Sequence, residues 1–208
     1  MRERNSTRRL AASLLATLAA VAWFPPPATA QHPGTAMTRA AEITLAEGAG
    51  PPVLVADATI YVLAESGYEV ARQGSNDAAC LVSRDRFDTL EPLCFDAEGT
   101  RAILPVYLER GRLRAAGRSE EDIEADIQAG FDSERFGPPS KTGIAYMLSP
   151  HNKVFNGSEV IDYPPHIMVY APYLTNADIG ADMSDPFMPW VLEEGSPHAY
   201  IIVVVGER

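Results

Sequence analysis

Cys80 and Cys94 are the only cysteines of the chain, and each lies in a short apolar run, Ala79-Cys80-Leu81-Val82-Ser83 and Leu93-Cys94-Phe95. The polar stretch from Arg84 to Pro92 can turn the chain between them, so the pattern predicts a β-hairpin. Residues opposite each other on neighbouring strands are close enough to be bridged. In an oxidising compartment an even cysteine count favours a disulfide. Closing a loop of this length contributes roughly 3 kcal/mol in the chain-entropy model. The expected disulfide Cys80–Cys94 leaves neither thiol for nucleophilic or metal chemistry.

The compartment is read from the first 30 residues. Arg2, Arg4, Arg8 and Arg9 precede an apolar run from Leu10 to Phe24, and Ala28-Thr29-Ala30 supplies a small-x-small site. This is the pattern of a cleaved export signal over 1–30, with a mature chain that starts at Gln31 and works in the periplasm or outside the cell. The apolar run is 15 residues long and meets Pro25-Pro26-Pro27, whereas a membrane-spanning helix needs about 20 apolar residues without such a break. No later segment is long and apolar enough to span, so no integral membrane segment is expected in the mature chain. Arg8-Arg9 after Ser6-Thr7 also fits a twin-arginine signal, and the sequence leaves the two export routes open.

Removing 30 of 208 residues leaves 178, enough for one domain with a sizeable core. The leader takes four arginines and one glutamate with it, moving the formal net charge from −11 to −14. Nucleic acid requires a basic footprint, so it is excluded as a partner. A small-molecule or protein partner stays open.

Residues 31–38 read as a flexible start, and 39–208 as a single domain. Arg39 to Glu47 has the composition of a short helix. Ala58 to Leu63 and Tyr68 to Arg72 flank Glu65-Ser66-Gly67 as a hairpin would, and with the cysteine hairpin they suggest an antiparallel meander. Arg101 to Leu108 is ambiguous, because Pro105 opposes both a central strand and a helix interior. Ser119 caps a helix whose Ile123, Ile127 and Phe131 share a face expected to pack on the sheet. Ile144 to Leu148, His166 to Ala171 and His198 to Val205 are strands, the last a central one by its apolarity. The fold class is α+β: a mainly antiparallel sheet with one or two packed helices and long loops in the C-terminal half.

Two of these strands share a design. Pro165-His166-Ile167-Met168-Val169-Tyr170 and Pro197-His198-Ala199-Tyr200 each place a histidine after a proline and a tyrosine an even number of residues later. Alternation puts His166 with Tyr170 and His198 with Tyr200 on one face, so neighbouring strands could gather two imidazoles and two phenols. These four are the candidate catalytic residues, and His166 and His198 are also weak metal candidates. Asp178, Asp182, Glu193 or Glu194 could supply a third ligand, though no spacing selects one. The series Asn176-x-Asp178-x-Gly180-x-Asp182 lacks the glycine position and closing glutamate of an EF-hand. His151 is a turn histidine, and Asn156-Gly157-Ser158 is a glycosylation acceptor in form.

Signatures of hydrolase elbows, zinc proteases, phosphate loops and dinucleotide sites do not occur. No cofactor is therefore predicted, a divalent metal being the only open case. The leading expectation is an exported binding or structural module without catalysis of its own. The rival is a small extracytoplasmic hydrolase or metal-dependent enzyme using His166 and His198. A third reading makes Pro186-Phe187-Met188-Pro189-Trp190 an exposed contact of an accessory subunit.

Overall fold

The computed structural model describes residues 37–84, 89–182, 184–185 and 187–205, all within the compact unit His32–Arg208. The leader 1–30 and most of the flexible start lie outside the described residues. Thr38 is described, and its side chain caps helix α1 (Arg39–Glu47) by accepting from the Ala41 amide. After the short α2 (Pro52–Val55) the chain forms β1 (Thr59–Ala64), β2 (Gly67–Arg72), β3 (Ala79–Ser83) and β4 (Glu91–Phe95). Three helices follow, α3 (Ala97–Ala102), α4 (Leu104–Ala115) and α5 (Glu120–Asp132). The C-terminal half carries β5 (Ile144–Met147), a small hairpin of β6 (Lys153–Phe155) and β7 (Val160–Asp162), then β8 (His166–Tyr170), α6 (Asn176–Ile179), β9 (Trp190–Leu192) and β10 (Tyr200–Val204).

Eight strands form one sheet in the order β2-β1-β3-β4-β5-β8-β10-β9. Every neighbouring pair is antiparallel except β1 and β3. The α+β class is thus observed, with six helices among the described residues. The first four strands do not form the expected meander. After β2 the chain crosses the start of β1 and enters β3 parallel to it, held by Ser75 and Asn76 amides that donate to the Asp57 carbonyl. Gly74 permits the crossing, since a Cβ there would stand 2.4 Å from the Asp57 oxygen and the Thr59 nitrogen.

The cysteines stand opposite each other in the β3–β4 ladder and are bridged. Strand alternation sends them to the face covered by α1 and α2, among Ala46, Val55, Ile60 and Val82. Leu81, Leu93, Phe95, Ala145, Met168, Tyr170 and Tyr200 occupy the other face, under Ile103 and Leu104 at the α3–α4 junction. Fully burying a side chain such as Leu93 or Phe95 contributes about 1.5–3 kcal/mol. On the first face Glu42 of α1 is also buried. Its carboxylate pairs with Arg84 and accepts from the Leu63 amide at 2.8 Å, tying α1 to the ends of two strands.

Pro105 stands in the first turn of α4, where a missing N–H breaks no helical bond, so Arg101 to Leu108 is helical on both sides of Ile103. Ser119 does cap α5, accepting from the Asp122 amide at 3.2 Å. The apolar face of α5 packs on α4 rather than on the sheet: Ile123 and Ile127 meet Val106 and Leu113. The acidic side of α5 meets the arginines of α4, with Arg110–Glu124 and Arg114–Glu120 ion pairs at 2.7 and 2.8 Å. Strand β10 is second from the edge, paired on its outer side with the three-residue β9.

Candidate functional site

Strands β8 and β10 are neighbours, as the sequence design required, and their direction decides what converges. They run antiparallel with Tyr170 opposite Tyr200 and His166 opposite Val204. The tyrosine rings meet at 6.1 Å between centroids. The histidines go to opposite ends: His166 is opposite Val204, four ladder residues or roughly 13 Å from Tyr200, and His198 lies two residues beyond Tyr200 in the turn before β10. The two imidazoles do not share a site.

Each histidine is satisfied where it stands. His166 lies against the ring of Tyr163 at 4.9 Å and its Nδ1 is 2.9 Å from the Pro164 carbonyl. His198 stacks edge-on to Phe131 at 4.8 Å and its Nε2 is 3.0 Å from the Gly137 carbonyl. A carbonyl oxygen brings no proton, so Nδ1 of His166 and Nε2 of His198 are the protonated donors and the other nitrogen of each ring is an acceptor. Burial pushes both pKa values below the ordinary histidine value, against the pull of these carbonyls, and Arg110 adds to the effect on His198.

Tyr170 is committed to structure. Its hydroxyl donates to Asp96 at 3.1 Å, whose carboxylate also accepts from the Gly99 amide at the start of α3 and from the Ile144 amide. The phenol is held up, first by burial and then by the Asp96 charge. Gly99 leaves room for it, since a Cβ there would come within 2.0 Å of the hydroxyl.

Tyr200 opens on something different. It forms part of a groove of about 450 Å³ between α4, α5 and the turn from Leu192 to His198. Tyr107 and Arg110 enter from α4, Glu124, Ile127 and Phe131 from α5, and Glu91 and Phe155 from β4 and β6. Tyr107 is set by its tilted contact with Phe95, 5.4 Å between centroids, and shares a hydrogen bond with Tyr200. Burial and then the Glu193 carboxylate push the Tyr200 phenol up, while Tyr107 and Arg110 act the other way. Arg110 is fixed by both oxygens of Glu124, at 2.7 and 3.1 Å. Glu193 sits in the left-handed region at φ 55°, a conformation that a side-chain-bearing residue holds only when its surroundings impose it.

Asp178 and Asp182 are spent on their own turns. Asp178 accepts from the Thr175 amide and hydroxyl in a capping box, and Asp182 from the Ser184 amide and hydroxyl. These bonds lower both pKa values. Glu194 accepts from the Asn176 amide. Among the described residues no three of His, Cys, Asp and Glu gather as a metal would need, and no helix is long and apolar enough to cross a membrane. His151 is exposed in its turn, and Phe187 and Met188 are 38 % and 40 % exposed while Trp190 turns inward to Tyr163. Asn156 folds back on Ser158 and Glu159 at the tip of the β6–β7 hairpin.

Of the four candidate His and Tyr residues, His198 and Tyr200 line the groove. Tyr107, Arg110 and Phe155 were not singled out by the sequence. The spacing of Tyr107 and Arg110, three residues apart on one helix face, is the one signal that could have joined them. Compared with protein-family models, curated proteins and solved structures, the chain matches none.

Proposed function

We propose that this chain is an exported binding module that takes a small ligand into the groove beside Tyr107, Arg110, Tyr200 and His198, without catalysis of its own. The observation that carries the reading is the groove itself: its volume of about 450 Å³ suits a small molecule, and a largely polar lining that includes Tyr107, Arg110, His198 and Tyr200 converges beside the apolar Ile127 and Phe131, as groups that orient a bound ligand do. Its rings are held by contacts outside the groove, Tyr107 by Phe95 and His198 by the Gly137 carbonyl, so little ordering remains to oppose binding. Export is supported by the basic, apolar and small-residue pattern of residues 1–30 and by a disulfide that suits an oxidising compartment. The hydrolase reading loses support because it needed His166 and His198 together.

A thermal-shift screen of the oxidised protein against a small-molecule library tests the binding reading. At least one compound is expected to raise the melting temperature, and Phe131→Ala is expected to weaken its affinity about tenfold. A library without a hit, or a hit indifferent to groove variants, overturns it. For export, the mature protein is expected to begin at Gln31.

A further inference from the structure

The described asparagines differ in whether the nitrogen of the side-chain amide is held. Asn76, Asn152 and Asn176 each donate from Nδ2 to a backbone carbonyl, of Leu54 at 2.9 Å, Met147 at 3.0 Å and Val191 at 3.1 Å. Asn156, exposed at the tip of the β6–β7 hairpin, is held by the oxygen instead. Its Oδ1 accepts from the Ser158 amide, the Ser158 hydroxyl and the Glu159 amide, each at 2.9 Å. Its main-chain N–H donates to the Glu159 carbonyl at 3.0 Å, and among the described residues nothing accepts from its Nδ2. Asn156 is also the only asparagine of the chain that is followed by glycine. Gly157 is exposed at φ 99°, with nothing within 4 Å of where a Cβ would stand, and its N–H has no partner among the described residues.

These are the parts of an acyl transfer within the chain. A peptide nitrogen can attack the carboxamide of the preceding residue when no side chain crowds the approach, its proton is open to solvent and the carbonyl oxygen can take up charge. Donors already aimed at that oxygen stabilise the charge as it develops, and the short tether keeps the reacting groups together. We infer that the β6–β7 tip is a self-modification site, at which Asn156 deamidates through Gly157 with water as the only co-reactant. The Gly157 nitrogen gives its proton to solvent base and bonds to Cγ of Asn156. The Cγ–Nδ2 bond breaks, Nδ2 takes up a proton and leaves as ammonia, and a succinimide ring remains. Water then opens the ring. Breaking the bond from the ring nitrogen to Cγ gives aspartate in an unaltered backbone, and breaking its bond to the main-chain carbonyl carbon gives isoaspartate, whose backbone runs through the side chain. Either product adds a negative charge beside Glu159, and isoaspartate lengthens a loop whose neighbour Phe155 lines the groove. The inference does not depend on the groove being a ligand site.

Peptide mapping decides the matter on the folded, oxidised protein held for weeks at mildly alkaline pH, with a parallel sample unfolded in guanidinium chloride. In the folded protein Asn156 is expected to show the mass gain of NH2 replaced by OH, as a mixture of isoaspartate and aspartate, at a rate no lower than in the unfolded sample. Asn76, Asn152 and Asn176 are expected to react only when unfolded. Ser158→Ala, which removes one of the three donors, is expected to slow the folded reaction about threefold, less than a donor in a closed site is worth, and to leave the unfolded rate unchanged. Asn156 intact in the folded protein, or reacting faster unfolded than folded, overturns the inference. Aspartate without isoaspartate shows water attacking the amide directly and overturns the step through Gly157. A folded rate untouched by Ser158→Ala overturns activation by the turn.

Discussion

The two ends of the β8–β10 ladder begin from nearly the same sequence, proline then histidine then an alternating apolar run, and become different environments. At one end His166 is closed in by Tyr163, which itself accepts a hydrogen bond from Trp190 Nε1 at 3.3 Å. At the other, His198 is as deeply buried yet forms part of a groove wall. The difference comes from what stands over each. A loop tyrosine covers His166, whereas the cover over His198 is α5, which leans on α4 and leaves a gap above the sheet. Burial of a polar residue says little about its role until its neighbours are known.

The contrast can be broken by truncation. His166→Ala should destabilise the fold by about 2–4 kcal/mol, since it leaves the Pro164 carbonyl unpaired and a void in a closed site, and groove binding should not change. His198→Ala should cost about 1–2 kcal/mol, because water in the groove can reach the space it vacates, and should weaken the groove ligand about tenfold. Urea denaturation with parallel titrations measures both, and equal stability losses with equal binding would erase the distinction.

Titration sharpens the comparison. Both histidines have folded pKa values below the unfolded one, so each contributes stability that is fully present above about pH 6.5 and lost as pH falls through the folded value. Stability should therefore decline on the acid side, and His166→Gln and His198→Gln should each flatten the decline. The two effects should add, since the sites share no partner. The smallest expected change is Tyr163→Phe, about 0.5–1.5 kcal/mol from the hydrogen bond to Trp190, with no effect on groove affinity.

What was legible in the sequence was local. The Glu65-Ser66-Gly67 turn, the cysteine hairpin and the Ser119 cap each depend on residues close along the chain, and each is present. Direction was not legible. Alternation specifies which side chains share a face and says nothing of whether β1 and β3 run parallel, or of whether the histidine ends of β8 and β10 meet. Pro105 was ambiguous because its effect depends on its distance from a helix start that the sequence did not mark. The groove draws on segments from Thr89 to Tyr200, and Arg110, which lines it, lies in a helix that also carries Arg112 and Arg114. Composition alone could not separate the arginine that lines the groove from those that do not.

The disulfide has a consequence for how the chain survives damage. In the order of the sheet, β3 and β4 are the seam between a three-strand half built from Thr59–Ser83 and a five-strand half that holds the groove. The only covalent link across that seam, apart from the backbone between Ser83 and Glu91, is Cys80–Cys94. A protease that cut that backbone would produce two polypeptides still joined as one molecule, with the central ladder held in register. The nick would appear on a reducing gel and not on a non-reducing one.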